Sequence, residues 1–326
     1  MSDLPRSIRI TEEGPREGFQ IEPGPIPTAR KIEFINALAQ TGLKRIQAVS
    51  FVNPKRVPGW ADADEVVKGI IPVAGVQFAG LWLNEQGLQR ALTHKDKLYI
   101  DGKINMYPSS AFLKRNNNMT QEQYRAEVIK FVATCKENGL PVDRGSISSA
   151  FGCNFEGDIS AATVVKLVGD LLELAETQGL KIKAVTLADT MAWGTPLSIK
   201  RTIGAVREKF PDLPLALHLH DTRGMGIANA FAGLEMGVDR YDSAAAGLGG
   251  CPFAKHKGAA GNVCTEDLVF MCQEMGIETG IDLDKLIACA QMAEDIVGHP
   301  LPGTLKMGGT LQSLRVKAAQ NLAAAA

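Results

Sequence analysis

The sequence lacks several features that define other classes of protein. No apolar run reaches the length of a transmembrane helix, and the first ten residues lack the apolar core of a signal peptide. Aromatic residues make up only 6% of the chain, and the net charge is -1 with lysine and arginine scattered. These absences argue against a polybasic nucleic-acid surface and against a membrane anchor. We therefore expect a cytoplasmic protein that binds neither nucleic acid nor membranes.

The cysteines lack any paired spacing. Disulfide scaffolds and structural zinc sites use closely spaced cysteines, and this chain has no CxxC pair. We predict reduced thiols and no structural zinc site. The six cysteines are Cys135, Cys153, Cys251, Cys264, Cys272 and Cys289.

The chain also lacks the phosphate-binding fingerprint of a doubly wound sheet, which is the alternative α/β fold. The first predicted strand, residues 7–11, leads into an acidic stretch without GxGxxG. Eight alternations of a short apolar run with a helix-like stretch follow one another without a long linker. This pattern predicts one α/β domain over residues 1–326, a (β/α)8 TIM barrel over about 8–276 with a C-terminal helix and tail over 277–326.

The predicted elements follow from apolar periodicity and capping residues. We take Thr28 and Thr120 as helix N-caps, residues 116–118 as a loop, and the Ala-rich end as frayed. Strands are predicted over residues 7–11, 45–50, 76–83, 98–106, 142–148, 182–187, 213–219 and 238–243. Helices are predicted over 28–40, 63–70, 85–93, 121–138, 160–178, 196–209, 226–236, 265–275 and 283–297.

Two histidines near the end of the seventh predicted strand are the first candidates for chemistry. His218 and His220 stand at i and i+2, so their imidazoles share one face of a strand. They are two of only five histidines, and Asp221 follows at once. The pattern favours two ligands of one metal ion over one core and one surface histidine.

Polar residues follow nearly every predicted strand, as in barrel enzymes, whose active sites lie at the carboxyl ends of the strands. Polar residues that merely cover the surface would lie at both ends of the barrel. This set therefore predicts a polar depression at the carboxyl ends of the strands, which we call the bowl. The strand-end candidates include Arg16, Glu17, Gln20, Gln47, Asn84, Ser146, Asp189, His218 and His220.

Glu17 and Asn262 are the candidates to complete a metal site. A carboxylate and an amide oxygen beside two imidazoles suit Mg²⁺, Mn²⁺ or another borderline divalent ion. The alternatives are a solvated loop acid for Glu17 and a turn residue for Asn262.

Cys251 and Arg16 are candidates for proton transfer and charge stabilisation. Cys251 lies in a glycine-rich loop, where a thiol could exchange a proton with carbon. Arg16 stands beside Glu17 and could stabilise a developing oxyanion. The alternatives are a small loop residue and a surface ion pair.

Six segments resemble motifs of the 3-hydroxy-3-methylglutaryl-CoA lyase family, in the family's order, from about residue 8 to 290. The resemblance therefore covers nearly the whole chain, and the cysteine loop is its most specific part. Residues 14–20 resemble GPRDGLQ, 50–55 resemble SFVSPK, 187–196 resemble LGDT…GTP, 218–222 resemble HCHDT, 246–253 resemble AGLGGCPY, and 261–268 resemble GN-xx-TEDL.

The resemblance implies a TIM-barrel lyase, a homodimer or larger, that splits a 3-hydroxy-3-methylglutaryl thioester into acetyl-CoA and acetoacetate, as in leucine degradation. It implies that Arg16 steadies the enolate oxygen, Cys251 lies on a mobile loop and Asp189 assists proton transfer. His218 would relay the proton of the hydroxyl group. The implied metal ligands are Glu17, His218, His220 and Asn262.

Three residues depart from the family pattern. Glu17 stands where the family has its metal aspartate. Gln47 replaces a glutamate, in IQA where the family has IET, and Ser146 replaces a tyrosine, in RGS where the family has RGY. Losing a ring enlarges the pocket, and losing a carboxylate removes a charge. We therefore expect Gln20, Gln47, Asn84 and Ser146 to bind an acyl-CoA that differs from the family's usual one.

Two other functions remain open at this point. One is a malyl- or citramalyl-CoA-type lyase or aldolase on the same scaffold, which the residues at 47 and 146 favour. The other is a metal-binding pseudoenzyme, against which the retained Arg16, His218, His220 and Cys251 argue. In each enzyme hypothesis the partner is a small acyl-CoA, with coenzyme A as part of the substrate.

Overall fold

The computed structural model describes residues 4–249 and 261–325, and eight parallel strands form its centre. The strands are β1 (Arg9–Glu12), β2 (Arg45–Ser50), β3 (Gln77–Leu81), β4 (Gly102–Met106), β5 (Val142–Ile147), β8 (Ala184–Ala188), β9 (Leu215–His218) and β10 (Arg240–Ser243). Their order is β3-β2-β1-β10-β9-β8-β5-β4. The N–H of Tyr99 donates to the carbonyl of Phe78 at 2.7 Å, which joins the two edges. The sheet is the predicted TIM barrel.

Alternation along the strands separates an apolar layer under the helices from a polar barrel interior. In β4, Ile104 is fully buried, whereas Lys103 and Asn105 on the opposite face are only partly covered. Asn105 pairs in register with Ser146 of β5, and Lys103 pairs with Arg144. Branched apolar residues usually fill such interiors, so this wall of the barrel is unusually polar.

The helices bury their apolar faces against the outside of the sheet. In α7, buried residues recur at the helical spacing Val164, Val168, Leu171 and Leu174. The helices are α1 (Phe19–Ile21), α2 (Thr28–Leu38), α3 (Ala63–Gly69), α4 (Glu85–Leu92), α5 (Ser110–Asn117), α6 (Gln121–Glu137), α7 (Ala161–Thr177), α8 (Pro196–Lys209), α9 (Gly226–Glu235), α10 (Thr265–Glu274), α11 (Leu283–Val297), α12 (Leu305–Gly308) and α13 (Leu311–Ala325). A hairpin of β6 (Gly152–Cys153) and β7 (Gly157–Asp158) follows β5.

Two local predictions, about the start of α2 and about the segment that forms α5, need correction. Thr28 is not an N-cap: its hydroxyl donates to Asp62 at 2.6 Å, and Pro27 occupies the cap position. The predicted loop at 116–118 is largely helical, because Ser109 caps α5 by accepting the N–H of Phe112 at 2.9 Å. Only Asn118, with a φ of 57°, ends that helix in the left-handed region.

The Ala-rich end is a helix, not the frayed segment that we expected. Alanine has the highest helix propensity, which favours α13. The guanidinium of Arg315 also donates to the carboxylate of Glu274 at 2.6 and 2.9 Å, fixing α13 beside α10. Within the described ranges, no helix combines the length and apolarity needed to cross a membrane. The five described cysteines are free thiols, as predicted.

Candidate active site

Three potential ligands converge at the carboxyl ends of β1 and β9. His218 ends β9, and its Nε2 lies 3.2 Å from Nε2 of His220. Oε1 of Glu17 lies 3.3 Å from Nε2 of His220. One ligand atom from each side chain lies within 4.8 Å of the others. The two histidines therefore share one face, as their spacing predicted, and Glu17 joins them from more than two hundred residues earlier in the chain.

The other nitrogen of each imidazole faces a hydrogen-bond acceptor. Nδ1 of His220 lies 2.9 Å from the carbonyl oxygen of Thr190, so this nitrogen carries a proton and donates it. Nδ1 of His218 lies 3.3 Å from the carboxylate of Asp242. In the neutral imidazoles, both Nε2 atoms then present lone pairs toward each other and toward Glu17. Metal-binding histidines have this arrangement, with an acceptor fixing the tautomer.

Asn262 lies beside this cluster with its carbonyl oxygen unused. Its Nδ2 donates to Glu17 Oε1 at 3.1 Å and to the carbonyl of Leu248 at 3.2 Å. Its Oδ1 is buried and has no hydrogen-bond partner among the described residues. The glycine at 249 leaves room for this amide, because a Cβ there would lie only 2.4 Å from Nδ2 of Asn262. The φ of Gly249, 96°, also lies in the region that favours glycine. Converging lone pairs and an unpaired buried amide oxygen fit one divalent cation.

A short π-helix, residues 14–18, follows β1 and brings Arg16 beside Glu17. The Nε of Arg16 donates to Gln47, and its Nη2 donates to Glu13 at 2.5 Å and to Glu17 at 3.1 Å. The indole of Trp60 donates to the backbone carbonyl of Arg16 at 3.0 Å, which fixes this turn. Arg16 thus lies in the bowl and not on the surface.

The opposite charges around Glu17 and His218 favour the charged form of each side chain. Burial favours the neutral acid, yet the charge of Arg16 holds the pKa of Glu17 well below its usual range, and a proton on Nε2 of His220, when that imidazole is charged, acts in the same direction. Burial also disfavours a charged His218, but its bond to Asp242 and the charge of Glu17 raise the pKa of His218. Glu17 is therefore an anion in the folded protein, as a metal ligand must be.

Asp189 is fully buried behind the histidines and organises the loop after β8. Its Oδ1 accepts the backbone N–H of Trp193 at 2.8 Å and of Gly194 at 3.0 Å. Burial raises the pKa of Asp189, although these bonds and the charge of His220 act the other way. Its backbone N–H donates to the carbonyl of His218 at 2.8 Å, so the backbone of Asp189 supports the strand end that carries the histidine.

The remaining predicted residues have different environments in the fold. Gln20 follows the π-helix, and its Oε1 is buried without a partner among the described residues. Ser146 is buried on β5 beside Asn105 and Thr186. Asn84 is exposed and caps α4, where its Oδ1 accepts the N–H of Gly87 at 2.9 Å. Cys251 lies outside the described residues.

Sequence reasoning missed two acids and a lysine that face the same interior. Glu13 bonds Arg16, Asp242 bonds His218, and Lys103 lies close enough to both acids for their charges to affect its pKa. Burial lowers the pKa of Lys103, and the charge of Arg144 acts in the same direction. Strand alternation could have indicated Asp242. It follows Tyr241, whose buried side chain points out of the barrel toward the helices, so the side chain of Asp242 points to the interior.

A cavity of about 790 Å³ opens at the opposite end of the barrel, among Thr11, Arg144 and Asp242. It lies under the amino ends of the strands. Barrel enzymes use the carboxyl ends, and the ligand cluster lies there. We therefore assign the candidate site to the bowl and not to this cavity.

Known proteins of one kind match this chain over most of its length. The HMGL-like family model matches residues 7–293. The cytoplasmic 3-hydroxy-3-methylglutaryl-CoA lyase of Rattus norvegicus is 40% identical, over 88% of this chain and 80% of that protein. The hydroxymethylglutaryl-CoA lyase of Bacillus subtilis is 37% identical, over 91% of this chain and 96% of that protein.

A solved structure also matches. The HMG-CoA lyase of Acinetobacter baumannii, in complex with coenzyme A and 3-methylmalate, aligns with a TM-score of 0.82 and 38% identity. The alignment covers 95% of this chain and 97% of that one. Sequence and fold therefore agree on one family.

Proposed function

This chain belongs to the HMGL-like family, and from that premise we propose that it is an acyl-CoA lyase. Its substrate is 3-hydroxy-3-methylglutaryl-CoA or a close 3-hydroxyacyl-CoA, split into acetyl-CoA or another acyl-CoA and a keto acid. The observation that carries the proposal is the convergence of Glu17, His218 and His220 beside Arg16 at the carboxyl ends of the strands.

The proposed metal ligands are Glu17, His218, His220 and Asn262, with Mg²⁺ or Mn²⁺ as the ion. Three observations support this set: two imidazole lone pairs turned inward, an anionic carboxylate, and a buried amide oxygen without a partner in the described part of the chain. When bound, such an ion supplies Lewis acidity that lowers the pKa of a substrate hydroxyl group.

Carbon–carbon cleavage requires the loss of the hydroxyl proton and the stabilisation of an enolate. We assign the first task to His218, whose Nδ1 is held by Asp242; its Nε2 would accept the hydroxyl proton in a step in which it does not bind the ion. Arg16 has the second task. Its Nε and Nη2 are occupied, and the N–H groups of Nη1 have no partner among the described residues. They can meet the negative charge that develops on the thioester oxygen.

Two further residues have proposed roles in the same reaction. Cys251 would protonate the enolate carbon, because a thiol exchanges protons with carbon readily when it is close. Asp189 would assist proton transfer by supporting the backbone at His218. The acyl part would contact Gln20, Gln47 and Ser146, and Asn84 would act at the rim where coenzyme A enters. We further propose a cytoplasmic homodimer or larger oligomer, with residues 1–326 as a single domain.

A second candidate substrate is a malyl- or citramalyl-type thioester, with its carboxylate placed differently. The polar wall formed by Lys103, Asn105 and Ser146 favours it, because this wall can bind a charged or hydroxylated acyl group. The 3-methylmalate bound to the Acinetobacter baumannii relative is a hydroxy acid of the same kind.

One experiment tests the function and separates the two substrates. The purified protein with Mg²⁺ or Mn²⁺ is incubated with a panel of 3-hydroxyacyl-CoA thioesters, including malyl and citramalyl thioesters, and the products are identified by mass. We expect an acyl-CoA and a keto acid from at least one member, and neither from His218→Ala. Intact thioesters throughout the panel would refute the proposed function.

A further inference from the structure

The guanidinium of Arg16 is held by three side chains, of which two are carboxylates. Nη2 uses one N–H for Glu13 at 2.5 Å and the other for Glu17 at 3.1 Å, and Nε donates to Gln47. The orientation of the remaining nitrogen, Nη1, therefore depends on these three anchors. Glu17 is a proposed metal ligand, so Glu13 is the carboxylate anchor of Arg16 that is not also assigned to the metal.

Gln47 supplies an oxygen but no charge. Its position is where the resembling family carries a glutamate, and the exchange keeps the shape of the side chain while removing the negative charge. The hydrogen bond from the charged Arg16 to the neutral Gln47 lacks the attraction between opposite charges that a carboxylate would add. Arg16 would therefore be held less firmly from β2 than it would be by a glutamate.

Glu13 supplies a carboxylate from the other side. Its side chain is only 7% exposed, and its oxygen is the closer of the two carboxylate contacts of Arg16. Its backbone is fixed, because its N–H donates to the carbonyl of Ser243 at 2.8 Å and its carbonyl accepts the N–H of Glu17 at 2.8 Å. An exposed ion pair is screened by water and contributes little, whereas this carboxylate is buried and its backbone is held in place.

We propose that Glu13 is a positioning residue for Arg16 and has taken over, at the end of β1, the charge that Gln47 lacks on β2. This inference rests on the proposed function, since it assigns to Arg16 the developing enolate charge. It adds a residue and a mechanism of compensation: the carboxylate partner of the catalytic arginine has moved from one strand end to the next.

A four-protein cycle tests the exchange. The proteins are the wild type, Glu13→Gln, Gln47→Glu and the double variant, with Glu65→Gln on the exposed face of α3 as the matched control. A displacement of about 1 Å can cost roughly 100-fold in rate, so we expect kcat of Glu13→Gln to fall about 10- to 100-fold. KM and Mn²⁺ affinity should stay near the wild-type values, because neither depends on Nη1.

Rescue is the decisive result. Gln47→Glu should restore most of the lost kcat in the Glu13→Gln background, and the kcat of Gln47→Glu alone is the reference against which that rescue is measured. If the two substitutions are additive, without rescue, the proposal is wrong. It is equally wrong if Glu13→Gln matches Glu65→Gln in kcat, or if it loses metal affinity in proportion to activity.

Melting temperatures of the same proteins test the coupling between positions 13 and 47 without a substrate. The coupling between positions 13 and 47 should appear as a partial recovery of stability in the double variant. If the wild type cleaves no thioester but this coupling is present, the proposed function fails and the exchange of carboxylates stands. If cleavage is normal but neither cycle shows coupling, the exchange fails and the function stands.

Discussion

Among the residues that the structure describes, two clusters each offer three metal-ligating groups within 4.8 Å of one another, and the two differ in how many of their lone pairs are still available. The first is Glu17, His218 and His220. The second is Cys264, Glu266 and Asp267, at the start of α10. Both contain ligand types that bind divalent ions. The difference lies in what their lone pairs already contact.

The acids of the second cluster are committed to the backbone. The carboxylate of Glu266 accepts the N–H of Ala246 at 3.0 and 3.2 Å, and Asp267 accepts the N–H groups of Thr304 and Leu305 at 3.0 and 2.7 Å. Burial raises the pKa of Cys264 well above its usual value, so its thiol keeps its proton. These groups fasten the turn at 245–247 and the chain before α12 to α10.

In the first cluster, the hydrogen bonds that the two neutral histidines donate are made by their Nδ1 atoms, which are not the atoms that would bind a metal ion. Thr190 and Asp242 occupy the Nδ1 atoms of the histidines and leave both Nε2 lone pairs facing Glu17. Proximity of ligand types is therefore a weak criterion for a metal site. Unclaimed lone pairs that converge on one point are the stronger one.

The largest effect is expected from His218→Ala. Substitution of a residue that merely orients a metal ligand costs about 10- to 100-fold in metal affinity, so loss of a ligand should cost at least 100-fold and abolish turnover. Mn²⁺ titration by calorimetry measures the first and product analysis the second. Full affinity and activity in this variant would show that the comparison between the clusters misidentifies the site.

The next effect is expected from Asp242→Asn, which replaces the carboxylate that fixes the tautomer of His218 with an uncharged amide. We expect Mn²⁺ affinity to fall by about 10- to 100-fold. Asp239→Asn is the control, because its side chain is 42% exposed and pairs only with its neighbour Arg240 among the described residues. Equal affinities in the two variants would mean that Asp242 does not orient the metal ligand.

Ser146→Tyr should change substrate preference without changing metal binding. The exchange fills the space beside Asn105, which the polar substituent of the acyl group would occupy. We predict that wild type cleaves 3-hydroxy-3-methylglutaryl-CoA weakly and a related thioester better, and that Ser146→Tyr shifts this ranking by about 10- to 200-fold in kcat/KM. A wild type that prefers 3-hydroxy-3-methylglutaryl-CoA to every analogue, with the ranking unchanged in the variant, would contradict altered specificity.

The smallest effect is expected in the second cluster, from Glu266→Gln. Burial, the largest influence, raises the pKa of Glu266 to about 7, and the pKa of Glu12 is raised likewise. Because the folded state then holds protons that the unfolded state releases above pH 4.5, stability should fall as the pH rises from about 5 to 8.

Glu266→Gln removes one of these two groups and should flatten the dependence of melting temperature on pH, while Mn²⁺ binding stays at the wild-type level. A change of 1 kcal/mol moves the melting temperature of a chain this large by about 2 °C. A steeper pH dependence than in the wild type, or a loss of the metal, would contradict the structural role of this cluster.

Much of the fold was predictable because the apolar periodicity of strands and helices can be recognised in short stretches of sequence. The bounds of β2, α8 and α11 agree with the predicted ones, and Thr120 caps α6 with a reciprocal bond to Gln123. The cap at Thr28 failed because a tertiary partner, Asp62, captured its hydroxyl group. Such competition from residues distant in sequence cannot be seen in the local pattern.

The site was predictable where chemistry and spacing coincide. His218 and His220 have both, and Glu17 followed from its position after the first strand. Glu13 and Asp242 were missed because an acid near a strand end is common, and only the closed barrel brings each to its partner. Their roles depend on contacts between elements far apart in sequence.

Pulsed EPR of the Mn²⁺-loaded protein tests the central claim most directly, because it detects nitrogen atoms bound to the ion. We predict one bound Mn²⁺ per chain with coupling to two imidazole nitrogens in the wild type, and to one at most in His218→Ala. Glu266→Gln should give the wild-type spectrum. A bound ion without imidazole coupling in the wild type, or an unchanged spectrum in His218→Ala, would contradict the assignment of the metal site to Glu17, His218 and His220.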